Sequence, residues 1–387
     1  MLREPVSIHS IASLSPLGLG PEASWEGCLG PTHALSRLEN GPATGEFVGK
    51  LPESTAALLD KIKASRSAYK NLDSSVLSAI AVSREAVAQA GWRSGSAFGI
   101  NLGSSRGATG LFEEYHEEFR ATGRVGTQAS PSTTLGNIAS WVAQDLRSEG
   151  PELSHSITCS TALHALLNGV AWLRSGMARK FLVGGSEAPL TPFTIAQMQA
   201  LKIYSREKGT YPCRALDLEK ANNTMVLGEG AGAVCLEMGR NDQALAIIAG
   251  MGWATEPLQH GASLSAEASC LQRSMAMAMQ GVSPQQVDAV VMHAPGTVKG
   301  DRAEFRAIQQ VFGGKPPALT TNKWKIGHTL GASGLLSLEM AVLMLQNQEF
   351  IGVPYVSGVS VPSQLRYILV NAVGFGGNAV SVLLSRV

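Results

Sequence analysis

Cys159 lies in the segment Ser156-Ile-Thr-Cys-Ser-Thr-Ala-Leu-His164, where a short strand-like run gives way at once to Ser160 and Thr161. Both are N-cap residue types, and the apolar helical run behind them ends at Gly176. A thiol at such a turn meets the positive end of a helix dipole, which favours the thiolate and lowers the cysteine pKa. Free N–H groups of the same turn can receive an oxyanion. The placement predicts a nucleophile, with a buried structural cysteine as the competing reading. Cys28, Cys213, Cys235 and Cys270 have no comparable context. Five cysteines form an odd set with no C-x-x-C pair, which predicts reduced thiols.

Two histidines and a lysine stand in similar strand-end settings. His293 closes the apolar run Val287-Asp-Ala-Val-Val-Met292 and opens His293-Ala-Pro-Gly-Thr-Val-Lys-Gly-Asp301. A strand that delivers a polar residue into a Pro/Gly-rich loop at its C-terminal end is where α/β proteins build sites. His328 belongs to the glycine-spaced loop Lys323-Trp-Lys-Ile-Gly-His-Thr-Leu-Gly-Ala-Ser-Gly334. Each histidine alone is more often a satisfied structural residue than a catalyst; with Cys159 they suggest a thiol nucleophile assisted by two imidazoles. His9, His33, His116, His155, His164 and His260 have no supporting context. Gly103-Ser-Ser-Arg-Gly-Ala-Thr-Gly110 lacks the Gly-Lys-Ser/Thr ending of a phosphate loop, and Gly228-Glu-Gly-Ala-Gly232 is not followed by a helix as a dinucleotide fingerprint requires. No His/Cys pair has zinc-ligand spacing, so no metal is expected.

These residues need a framework of strands and crossover helices. Short β-branched runs alternate with longer amphipathic ones, the pattern of a mainly parallel sheet. Strands are expected at Val6 to Ala12, Phe98 to Leu102, Ser156 to Thr158, Phe181 to Val183, Ala231 to Leu236, Leu245 to Ala249, Val287 to Met292, Tyr367 to Val370 and Val380 to Leu384. Helices are expected at Asp73 to Ala90, Thr161 to Arg174, Ala266 to Met279, Arg302 to Val311 and Ser333 to Leu345. Leu227-Gly-Glu-Gly-Ala-Gly-Ala-Val-Cys-Leu236 and Val373-Gly-Phe-Gly-Gly-Asn-Ala-Val-Ser-Val382 are alike, each a glycine-rich turn entering an alternating strand, which suggests a duplicated half. The polar stretch Met238 to Gln243 is the natural seam, giving halves 1–240 and 241–387.

With 387 residues the chain can bury an extensive core. Its 31 Lys and Arg against 30 Asp and Glu, with 16% charged residues, argue against a nucleic-acid protein driven by bulk positive charge. Its 42 glycines beside 44% hydrophobic residues fit a tightly turned α/β protein. The first twenty residues hold Arg3, Glu4 and Pro5 without an unbroken apolar run, and no apolar stretch approaches the roughly 20 residues of a bilayer span. The expectation is a cytoplasmic protein.

In order along the chain, Thr158-Cys-Ser-Thr-Ala162, His293 with Gly300-Asp301 and Glu304, Lys323 with Gly327-His328 and Gly331-Ala332, and Gly374-Phe-Gly-Gly377 resemble the motifs of elongating β-ketoacyl-[acyl-carrier-protein] synthases. Val6 to Gly18 and Pro131-Ser-Thr-Thr-Leu-Gly-Asn137 resemble further family segments, so the likeness covers essentially the whole chain. The resemblance implies a thiolase-like fold, two similar halves in a five-layered αβαβα sandwich, usually dimeric with itself or a related subunit. It implies that Cys159 takes an acyl chain from carrier-protein phosphopantetheine and that His293 and His328 hydrogen-bond the thioester oxygen of malonyl-carrier protein as it decarboxylates. Lys323 adds positive charge and orders the neighbouring histidine. The N–H groups of Cys159 and Phe375, on the turn with Gly374 and Gly376, form a second oxyanion hole that Phe375 gates. Thr297 and Thr329 are implied in substrate binding. No cofactor of its own is implied.

The chain departs from the family pattern in places. Ser337 stands where a Glu commonly pairs with the lysine, and Glu339 is about 200° further around a helix, so it cannot take over. Ala-Pro follows His293 in place of Gly-Thr, Asn222-Asn-Thr-Met-Val precedes Gly228, and Asn378 follows Gly377 where Thr is expected. These suggest a specialised branch such as a polyene or pigment pathway. Lys61, Lys63, Arg66 and Lys70 form one basic cluster, and Arg206 with Lys208 another. Acyl carrier proteins are acidic, so Lys63, Arg66 and Arg206 are expected to dock one; a solvated helix face is the alternative. A catalytically silent partner subunit usually loses the cysteine, and acyl transfer without decarboxylation has no use for two histidines; starter-type synthases carry Asn in place of His328.

Overall fold

A computed structural model describes residues 4–135, 137–257, 264–358 and 360–387. Gly136 of the Pro131–Asn137 segment, and His260, lie outside the described residues.

Ten strands form one continuous sheet, with the two-residue strand Gly18–Leu19 paired to its first member. In chain order they are β1 (Val6–Ser15), β2 (Gly99–Gly103), β3 (Glu152–His155), β4 (Lys180–Glu187), β5 (Gly230–Met238), β6 (Ala246–Thr255), β7 (Ala289–Val291), β8 (Ala318–Thr320), β9 (Tyr367–Gly374) and β10 (Asn378–Ser385). Their order across the sheet is β3-β2-β4-β5-β1 and then β6-β10-β9-β7-β8. Each run of five repeats the other: two parallel pairs, then two antiparallel ones. The runs meet where β1 and β6 pair antiparallel over three residues, with Val6 opposite Ile248.

The mainly parallel sheet expected from the alternation is therefore a mixed one. Parallel neighbours need a crossover, whereas antiparallel ones can be joined by a tight turn. β9 and β10 are joined in this way across Gly374–Asn378, where Gly376 and Gly377 have φ of +97° and +70°. The strand expected at Ser156 to Thr158 also fails, because Thr158 has φ +47° and breaks the extended backbone. β3 ends at His155.

The principal helices are α1 (Ser74–Gln89), α2 (Asn137–Leu146), α3 (Thr161–Arg174), α4 (Ser269–Ala278), α5 (Val298–Val311) and α6 (Ser333–Asn347). Leu163, Leu166 and Val170 of α3 pack with Leu338, Val342 and Leu345 of α6 and with strands of both runs, forming the central core. α1 and α2 cover the outer face of the first run through Ile80, Val82, Ile138 and Val142. α4 and α5 cover the second through Leu271, Met275, Ala307 and Ile308. The layers are thus helix, sheet, helix pair, sheet, helix. Among the described residues no helix is long and apolar enough to cross a membrane.

Candidate active site

Cys159 sits at the turn between β3 and α3, buried at 6% exposure. The turn is held locally: Thr161 Oγ1 donates to Thr158 O at 2.6 Å and accepts from Ile157 N at 2.9 Å, and Ser160 Oγ donates to Ile157 O at 2.9 Å. Ser160 occupies the N-cap position but spends its hydroxyl on this turn instead of capping the helix. Thr158 Oγ1 donates to Phe375 O at 3.1 Å, joining the nucleophile turn to the glycine turn of the other half. Gly374 must be glycine: a Cβ would overlap Thr158 Oγ1 and stand 3.0 Å from Cys159 N.

The expected depression of the Cys159 pKa is reversed. Burial, then the carboxyl of Glu187, push the thiol up to about 12, and Lys323 and Arg106 only partly offset them. The resting residue is a thiol.

His293 and His328 come together with ring centroids 5.1 Å apart, edge to face. Both are buried and line the cleft, and Nδ1 of each has no partner among the described residues. Burial, then the Lys323 charge, hold His328 down to about 3 and His293 well below the usual imidazole range. Two neutral imidazoles result, each able to donate one hydrogen bond.

The His293 loop is strapped from α5. Glu304 accepts from His293 N at 2.9 Å, Ala294 N at 2.8 Å and Asn371 Nδ2 at 3.1 Å. One turn earlier, Asp301 accepts from Gly296 N and Leu216 N, each at 3.0 Å, and forms a buried ion pair with Lys220 at 2.6 Å. Burial raises the Glu304 carboxyl to about 7 despite those donors.

Lys323 is buried beside the histidines, and Ser337 leaves it without a close acid. Its Nζ donates to Ser337 Oγ at 3.4 Å, and that hydroxyl leads on to Asn322 Oδ1 at 3.4 Å. Burial lowers the ammonium to about 8, with Glu304 the main charge opposing the fall. No hydrogen bond joins Lys323 to either imidazole among the described residues; it acts on both through its charge. Glu339 accepts from Ser13 Oγ at 2.8 Å on another face of α6, as the angular offset predicts.

Cys159, His293, His328, Glu304, Thr297, Gly374 and Phe375 line one cleft of about 1310 Å³, with Phe375 39% exposed at its wall. Thr297 caps α5 by accepting from Gly300 N at 3.2 Å. Thr329 does not line the cleft: it is buried, its methyl packed toward Gly228 and Gly230, so its substrate-binding assignment is not supported. Gly376 supplies the bend beside Phe375.

Of the docking residues, Arg206 lines the cleft and is exposed, but Lys63 and Arg66 do not border it. Lys63 lies in the helix Glu53–Ser65; Arg66, its C-cap, donates to Tyr69 OH at 3.1 Å. Sequence proximity put these charges together, whereas Lys202, from the segment after the helix Pro192–Ala200, and Lys299, from the first turn of α5, share the cleft wall with Arg206. Glu187 was also missed, although its setting resembles that of His293: an ionisable residue closing the strand Lys180–Glu187 after the apolar run Phe181 to Gly185. Among the described residues no group of three or more His, Cys, Asp or Glu could hold a metal ion.

A cysteine, two neutral imidazoles and a backbone turn converging on one cleft define a thiol-dependent acyl-transfer site, built at the interface of two like halves. The chain belongs to the β-ketoacyl synthase family: its N-terminal domain matches residues 3–241 and its C-terminal domain residues 245–354. It is 25% identical to 3-oxoacyl-[acyl-carrier-protein] synthase 2 of Vibrio cholerae serotype O1 over 414 residues, spanning all of both chains. It is 27% identical to the synthase of the same name from Staphylococcus aureus strain COL, over 97% of each. Among solved structures it resembles the ishigamide ketosynthase/chain length factor, with TM-score 0.87 and 19% identity over all of both chains. It also resembles a type II polyketide synthase ketosynthase in complex with its acyl-carrier protein and bound to the hexaketide, with TM-score 0.86 and 21% identity over all of both chains. The fold is thiolase-like, and the condensing-acyltransferase class expected from the motifs is that of the family.

Proposed function

We propose that the protein extends an acyl chain by decarboxylative Claisen condensation. The observation that carries this reading is the meeting of Cys159 with the neutral His293–His328 pair on one cleft wall. The Cys159 thiol attacks an acyl-carrier thioester, forming an acyl-cysteine thioester and releasing the carrier thiol. Malonyl-carrier protein then enters and loses carbon dioxide. The electron pair of the broken C–C bond becomes a thioester enolate, whose oxygen accepts hydrogen bonds from the two imidazoles. The enolate carbon attacks the acyl-cysteine carbonyl. The tetrahedral oxyanion rests on the N–H groups of Cys159 and Phe375 and collapses to a β-ketoacyl-carrier product and free Cys159. Neutral imidazoles suit this task, because a hydrogen-bond donor is wanted at a developing charge without a proton to lose.

The carrier is read as an acidic acyl carrier protein approaching the rim of Lys202, Arg206 and Lys299; it brings its own phosphopantetheine, so the enzyme needs no cofactor. The two halves are taken to divide near residue 240, and the assembly to be a dimer with itself or with a related ketosynthase-like subunit. A silent, chain-length-setting subunit is disfavoured by the retention of Cys159, His293 and His328 together.

The test is incubation with acyl-carrier and malonyl-carrier protein, followed by mass spectrometry. The expected result is an acyl adduct on Cys159 and a product two carbons longer. Failure to form either contradicts the proposal.

A further inference from the structure

Glu187 is the last residue of β4 and only 1% exposed, yet the reaction above does not use it. Its Oε1 accepts from Ser105 N and, at 3.2 Å, from Gly331 N. Ser105 belongs to the loop after β2, whose backbone Ser105 O accepts from Ser156 Oγ of the nucleophile turn at 3.1 Å. Gly331 lies three residues beyond His328, in the turn that enters α6. The fit around the carboxylate is close: a Cβ on Gly331 would stand 2.6 Å from both Glu187 Oε1 and Ser105 N. Two residues back on β4, a Cβ on Gly185 would stand 3.0 Å from Ala162 Cβ of α3 and 2.9 Å from Gly331 O. The end of β4 is thus wedged between the first turn of the nucleophile helix and the histidine turn. Glu187 Oε2 is buried with no partner among the described residues.

We propose that Glu187 is a positioning residue serving both halves of the site: its carboxylate ties the turn behind His328 to the Ser105 loop and holds a negative charge beside Cys159. Above the value of about 7 to which burial raises it, the ionised carboxyl adds to burial in keeping the thiol protonated, and the tie fixes the height of His328 over the nucleophile. Other charges facing the thiol are Lys323 and Arg106; Arg106 also faces the carboxyl, and the two imidazoles are neutral. The proposal rests on the condensation reading for its second effect only, since thiol chemistry can be read without a carrier protein.

Glu187→Gln and Glu187→Asp separate the two effects. The amide oxygen of Gln can still accept from Ser105 and Gly331, its NH₂ taking the unpartnered Oε2 position, but the charge is gone. Asp keeps the charge and loses the reach. Alkylation of Cys159 by iodoacetamide, followed by peptide mass spectrometry across pH, should show the Gln variant's midpoint lower by about one pH unit and the Asp variant's close to that of the unmodified protein. Carbon dioxide release from malonyl-carrier protein should fall about tenfold or more in the Asp variant. A residue with only a structural role would lower the melting temperature of the variants and leave the alkylation midpoint in place, which would overturn the charge claim. Undiminished decarboxylation by the Asp variant would overturn the tie. If the unmodified protein releases no carbon dioxide while the Gln midpoint still moves, the condensation reading has failed and the charge claim stands.

Discussion

The two five-stranded runs share one strand order but carry different chemistry at equivalent strand ends. After β3 the first run presents Cys159 at the start of α3; after β8 the second presents Lys323 and His328 ahead of α6. At the end of β4 the first has Glu187, and just after β9 the second has Phe375. After β2 the first has Arg106, and after β7 the second has His293. The shared strand order supplies the scaffold, and differences at a few strand ends supply a nucleophile on one side and hydrogen-bond donors with a buried cation on the other. Electrostatics follow the same division. The thiol is held up by burial and a carboxyl from its own half, while the Lys323 charge from the other half opposes that and adds to burial in holding both imidazoles neutral.

The comparison can be broken most severely at the nucleophile. Cys159→Ala should abolish the acyl adduct and cost a ~10³-fold or greater loss of condensation, read by product mass. Next comes the seam between halves: Gly374→Ala places a methyl into Thr158 and should destabilise the fold by about 1–3 kcal/mol, read by thermal melting, with slower acylation.

Ser337→Glu should sharpen the comparison by giving Lys323 an acid. With Lys323 lowered to about 8 from 10.5, the unfolded chain binds this proton more tightly than the folded one, so folding stability gains from this group as pH rises through that window. Condensation that relies on the ammonium should fall as pH rises through about 8, and the Glu variant should move that fall upward by about one pH unit. Rate and melting profiles against pH check both. The smallest effect is expected at the rim: charge reversal at Lys202 or Lys299 should weaken carrier-protein use several-fold at low salt and less at high salt, and reversal at Lys63 less than either.

Much of the candidate site was legible because its residues lie in the turns that follow strands and lead into helices or glycine-bearing bends, a local pattern. Cys159, His293, His328, Lys323 and Phe375 all announce themselves that way. The likeness of the two runs was visible in the two glycine-rich segments, although the antiparallel half of each run was not, since pairing direction depends on which turns close. The charges were less legible. Whether a thiol at a helix N-terminus is acidic depends on burial and on a carboxyl 28 positions away, Glu187, and neither shows in local spacing. The basic rim joins Lys202 and Arg206 of one segment to Lys299 at the start of α5, nearly a hundred positions on, while the compact run from Lys61 to Lys70 does not border the cleft. The helix Thr109–Thr122 was also unforeseen, although Phe112, Tyr115 and Phe119 recur at helical spacing; none of its residues is buried, so that stripe packs on no core.

The central claim is that the first half holds the acyl chain and the second discharges malonyl. It is tested most directly by measuring the acyl mass on Cys159 and carbon dioxide release on the same samples of His293→Ala and His328→Ala. The account predicts full acylation with decarboxylation reduced roughly 10²- to 10³-fold. Loss of acylation with decarboxylation intact would contradict it.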